Sequence, residues 1–186
     1  MDAELQALWT TATAHGVRIV EDPSPPDHAR FIGLFEGHTI TLFPNAAPPF
    51  GRWFTIAHLY GHMVQMSAPT ARVRRSNELV FRLGETLDAD DVQLIYDHER
   101  EAAELGRRLI AQAHPVSRDL DLRYSRFFHA DFHYLVNVIE TKESGPPVFD
   151  RYYKREPIPR DPILPDARPL LNLKTTTPST ERIVVV

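Results

Sequence analysis

The sequence predicts a helix-rich α+β domain with a small antiparallel β-hairpin, followed by an extended, proline-rich C-terminal segment. Three observations carry this expectation. Apolar residues recur at helical spacing over 3–14, 51–66, 87–113 and 117–141, each stretch long enough for three or more turns. Between the first two lie short runs of branched and aromatic residues broken by glycine, the pattern of paired strands. Eight of the 16 prolines fall after residue 142, where their missing N–H and fixed φ are expected to exclude helix and leave the segment extended.

Composition bounds the rest. A chain of 186 residues that is 42% hydrophobic fits one domain with a sizeable core, here 1–142, plus an appended segment, 143–186. Lys and Arg total 21 against 25 Asp and Glu, a formal charge of −4, so direct nucleic-acid binding and attraction to anionic membranes are not expected. There is no cysteine, which leaves histidine and carboxylate as the strong metal ligands and agrees with a cytoplasmic protein. The N-terminus has no basic, then apolar, leader pattern. No run of about 18 apolar residues is present, so a membrane span is not expected.

Taken in order, Leu5, Leu8, Trp9 and Ala12 predict a first helix, capped by Asp2 and stopped by Gly16. Val17 to Val20 reads as a short strand. The proline-bearing stretch from Asp22 to His28 reads as a loop. FIGLFE and HTITLFP, joined at Glu36-Gly37, predict an antiparallel hairpin, and Asn45 to Gly51 leads sharply out of it.

The run 51–66, GRWFTIAHLYGHMVQM, is apolar on more than one face and therefore predicts a buried helix. Within it His58 and His62 stand at i and i+4, one above the other, so two imidazoles can converge on one ion. An ordinary helix holds such pairs by chance, and a second pair, His129 and His133, is present. The zincin signature H-E-x-x-H uses this spacing, with the glutamate as general base. Here that position is Leu59.

The wording F-T-I-A-H-L-Y-G-H resembles the active-site helix of the ImmA/IrrE-type metallopeptidases, whose form is F-x-x-A-H-E-x-G-H. A hairpin precedes that helix in the family, as it is expected to here. The resemblance, which covers about residues 1–140, implies a zincin-like fold, Zn²⁺ as the metal and a repressor-like regulatory protein as the partner. It also implies a third ligand from a second helix, in the form E-x-E-A-[ND]-x-x-[AG]. Glu99 in H-E-R-E-A-A-E-L-G matches the first glutamate, so the ligand set is His58, His62 and Glu99. Ala103 stands where the family has Asp or Asn, a departure that removes a group expected to orient a ligand.

The residues give their own support to Glu99. Glu99, Ala102, Leu105 with Gly106, and Leu109 fall on one face of the helix predicted over 87–113, so Glu99 continues a buried stripe. The alternative is a charged face paired with Arg100, Arg107 and Arg108. Glu101 lies about 200° around the helix from Glu99, too far to share its ion.

Between the two helices, 67–77 with Arg72, Arg74 and Arg75 reads as an exposed loop, either a solvated surface or a rim for an acidic peptide or phosphate. Residues 117–141 predict a third long helix, capped by Ser117 or Asp119. Its His129, Asp131 and His133 do not share a face, so Asp131 and Tyr134 read as buried structural residues or as lining near the metal. The segment after Gly145 is too apolar for a disordered tail and is expected to wrap the domain or dock on a partner. Its closing IVVV is expected to pair with the hairpin or with a second copy of the chain.

Without a glutamate at 59, no catalytic residue is assigned; Glu101, Glu104 and Asp131 are the stand-in bases the sequence offers. Three readings follow. The first is a degenerate metallopeptidase domain that keeps a metal and acts as a regulatory or protein-binding module. The second is a metal-dependent hydrolase of a repressor-like protein with another base, and the third a metal-free helical scaffold.

Overall fold

The computed structural model describes residues 3–23, 32–43, 51–115, 118–143, 146–154, 173–175 and 182–185. Its helices are α1 (Ala3–Ala14), α2 (Gly51–Ser67), α3 (Ala71–Val80), α4 (Ala89–Ala113), α5 (Arg118–Thr141) and α6 (Pro146–Tyr153). The strands are β1 (Arg18–Glu21), β2 (Gly33–Glu36), β3 (Thr39–Leu42) and β4 (Arg182–Val185). The α+β class is as the sequence predicts. Among the described residues no helix is long and apolar enough to cross a membrane.

The sheet grows from the hairpin. Gly37, at φ 58°, closes a two-residue loop that sets Glu36 against Thr39 and Phe35 against Ile40. β1 joins the outer side of β3 in parallel and β4 joins β2 antiparallel, giving the order β1-β3-β2-β4. The sheet is therefore mixed. Of the closing IVVV, Ile183, Val184 and Val185 pair with the hairpin of their own chain, which covers one edge of β2.

α2 lies in the middle. All of its residues except Arg52 and Ser67 are buried, because it has the sheet on one side and α1 and α4 on others. Gly33 on β2 admits it: a Cβ there would come within 2.7 Å of the Thr55 methyl and 3.3 Å of Leu59. α4 presents Ile95, Glu99, Ala102, Leu105, Gly106 and Leu109 inward, the stripe read from the sequence. Asp88 caps it, its side chain accepting from the Asp91 N–H at 2.8 Å.

Two stretches differ from expectation. Residues 71–80 form α3 rather than a loop. Thr70 caps it by accepting from the Val73 N–H, and Val73, Ser76 and Leu79 recur every third residue on its buried face. The arginines between them hid that stripe, yet they stand outward: Arg72 pairs with Asp97 and Arg75 with Asp91, both on α4. After Gly145, Pro146–Tyr153 is helical. Both of its prolines lie in the first turn, where no intrahelical N–H donor is required, so they start a helix instead of breaking it.

α6 packs on α5, with Phe149 between Phe127 and Tyr134. Leu173 is buried, and its N–H donates to the His15 carbonyl. Beside it Gly16, at φ 95°, ends α1 as expected. The Asp2 and Ser117 caps, the proline turns at 24–28 and 45–50 and most of 155–181 lie outside the described residues.

Candidate metal centre

The site follows from how closely α2 and α4 cross. A Cβ on Gly61 would stand 2.0 Å from the Ala102 carbonyl oxygen, and one on Gly106 would stand 2.5 Å from the Ala57 carbonyl oxygen. Only glycine at both places lets the two backbones touch. The A-H-x-x-G-H wording thus acquires a physical meaning, since Ala57 and Gly61 form the contact that holds His58 and His62 against α4. At that separation Glu99, one turn before Ala102, meets both imidazoles.

The contacts are short. Glu99 Oε2 lies 2.9 Å from His58 Nε2 and 3.1 Å from His62 Nε2, and the two Nε2 atoms are 3.1 Å apart. All three residues are buried, at 1%, 1% and 6% exposure. Two ligands about 2.0–2.1 Å from a tetrahedral zinc stand about 3.3 Å apart, so the donors are spaced nearly as such an ion requires. The described residues hold one group of His and carboxylate donors able to take a metal ion, and it consists of these three.

Proton counting supports a cation there. Gln65 uses its amide N–H groups on the His98 carbonyl and on Glu101 Oε2, each at 2.9 Å. Its Oε1 must then accept from His62 Nδ1, also at 2.9 Å, which places that ring's proton outward. Burial lowers the His58 pKa despite the hydrogen bond to Glu99, so His58 is neutral and carries one ring proton. At most that one proton can bridge three inward-facing atoms. Either an added proton or a metal cation must answer the remaining lone pairs.

The electrostatics of Glu99 agree. Burial is the largest influence and opposes its charge, but the two imidazoles set against it, His62 before His58, outweigh burial. They hold the carboxyl well below the usual carboxylate range. Glu99 is a ready anion.

Two neighbours went unread in the sequence as parts of the site. Gln65 orients His62 and is itself held by Glu101. A lone amide three residues after a candidate ligand, inside the run MVQM, was the available signal. His98 packs its ring 4.9 Å from that of His62.

The other candidates separate cleanly. Asp131, at 4% exposure, reaches the site: its Oδ2 is 3.6 Å from His58 Nε2. Burial first, and the Glu99 charge second, push its pKa well above the ordinary carboxylate value. His129 turns toward Tyr96, and His133 is exposed and stacks on Tyr152, so the three form no second centre. Glu104 is bound to Arg107 at 3.1 Å, away from the metal donors. Leu59 is fully buried toward Gly33 of the sheet. Comparisons with protein-family models, curated proteins and solved structures return no match.

Proposed function

We propose that this chain is a zincin-like metal-binding domain, a degenerate counterpart of the ImmA/IrrE-type metallopeptidases, serving as a regulatory or protein-binding module with little or no peptidase activity. The observation that carries this reading is the buried His58/His62/Glu99 cluster combined with Leu59, packed into the core where a zincin keeps its base. Losing a general base typically removes about 10²–10⁴ of rate. Neither Glu101 nor Glu104 is free to replace it, one being tied to Gln65 and the other to arginines.

Zinc is the metal this reading assigns, since neutral imidazole and carboxylate in near-tetrahedral spacing suit it. A repressor-like regulatory protein is the partner. The position of Asp131 favours one second reading, a hydrolase in which that carboxylate acts as base.

The test is elemental analysis of the purified protein, followed by incubation with candidate repressors. About one zinc per chain, tight repressor binding and intact repressor are expected. Cleavage that His58→Ala abolishes would establish the hydrolase instead. Unchanged metal content and binding in His58→Ala would leave a metal-free scaffold.

A further inference from the structure

We infer that Asp131 is the fourth protein ligand of the metal centre, closing it into a structural site that joins α2, α4 and α5. The inference rests on the metal reading above and deepens it by deciding what fills the remaining coordination position. Four observations support it.

The Asp131 Oδ2 lies 3.6 Å from His58 Nε2, close to the about 3.3 Å expected of two ligands on one tetrahedral zinc. It stands outside the tight trio of the other donors and so must swing inward to join them. Its side chain is free to do so, because Oδ1 is buried with no hydrogen-bond partner to anchor it. A buried, unpartnered carboxyl beside a set of lone pairs is costly unless a cation joins them.

Enclosure and charge point the same way. The four residues are each at most 6% exposed, whereas a catalytic zinc keeps an open position for water and substrate. Two carboxylates and two neutral imidazoles carry −2 in total, which neutralises one divalent cation without leaving a buried net charge. The third helix also fits, since α4 and α5 are already joined further along by Arg107 and Asp121. A ligand from α5 extends that seam to the level of α2.

The experiment uses the full chain stripped of metal by a chelator, then titrated with Co²⁺ and, in competition with a coloured chelator, with Zn²⁺. Wild type is expected to bind one equivalent, with a four-coordinate Co²⁺ spectrum that azide and acetohydroxamate leave unchanged. Asp131→Asn, which keeps shape and removes only the charge, is expected to weaken Zn²⁺ about 10–100-fold and to let either probe perturb the Co²⁺ bands. A Zn²⁺ affinity within twofold of wild type, with an unchanged spectrum, would overturn the assignment. So would wild-type Co²⁺ bands that shift with azide, a measurement that needs no variant to fold. Failure of wild type to bind either ion would instead remove the metal reading on which this one stands.

Discussion

Two buried polar clusters lie along α4, and they are built on opposite plans. Near the helix's middle, Glu104, Arg107, Asp121 and Ser125 form an ion-paired network: Arg107 meets Glu104 at 3.1 Å, Asp121 at 3.0 Å and Ser125 at 2.9 Å. One guanidinium answers the carboxylates, as a buried charge requires. About a turn earlier, His58, His62, Glu99 and Asp131 gather two imidazoles and two carboxyls, and among the described residues neither carboxyl has an ion pair to Lys or Arg. The first cluster holds its own cation. The second is built around the need for one, which is what separates a structural network from a ligand site at equal burial.

The largest effect should come from separating the helices on which both clusters depend. Gly61→Val places atoms where the Ala102 backbone now stands, so a loss of about 3 kcal/mol or more, or outright misfolding, is expected together with loss of metal uptake. Circular dichroism and urea unfolding read it. A stable Gly61→Val that still binds metal would mean that the close crossing is not what positions the site.

Next comes the contrast itself. Arg107→Ala removes the cation nearest to buried Glu104 and Asp121, leaving Glu104 the longer 3.7 Å pair to Arg108, and should cost about 3 kcal/mol. In the metal-free protein, Glu99→Gln removes a carboxylate that meets only the two imidazoles and should cost less than Arg107→Ala does. Equal penalties in urea midpoints would erase the distinction between the clusters. Smaller again, Gln65→Leu frees the His62 ring and should weaken Zn²⁺ about 10–100-fold while leaving the metal-free fold in place.

Acid should discriminate the clusters as well. Burial holds the folded-state pKa of His58 below the ordinary imidazole value of 6.5, so in the window between them the unfolded chain binds a proton that the folded chain refuses. The stability of the metal-free protein should therefore fall as the pH drops below about 6.5. Glu99, held well below 4.5, adds a further loss only in stronger acid. Asp131 acts with the opposite sign, its contribution being complete below 3.8 and lost as the pH rises through its elevated folded value. Urea midpoints between pH 7.5 and 5 should show the fall, with a flatter slope in His58→Gln; parallel slopes would show that His58 is not the group responsible. Smallest of all, Arg72→Ala on exposed α3 should change stability by less than about 0.5 kcal/mol, since Arg72 is more than half exposed.

The sequence by itself determined the class and the core of the site. Hydrophobic periodicity marks α1, α2, α4 and α5 because each buries a wide face, and the i,i+4 imidazoles and the Glu99 stripe are local facts of helix geometry. It left α3 and α6 unread, one because three arginines are interspersed with its three buried residues and the other because its prolines occupy a first turn where they do no harm. Tertiary structure alone decided how the helices meet. The Gly61–Ala102 crossing, the reach of Asp131 from α5 and the Gln65–Glu101 link join residues 36 to 73 positions apart, and no period in a single helix encodes a distance between two.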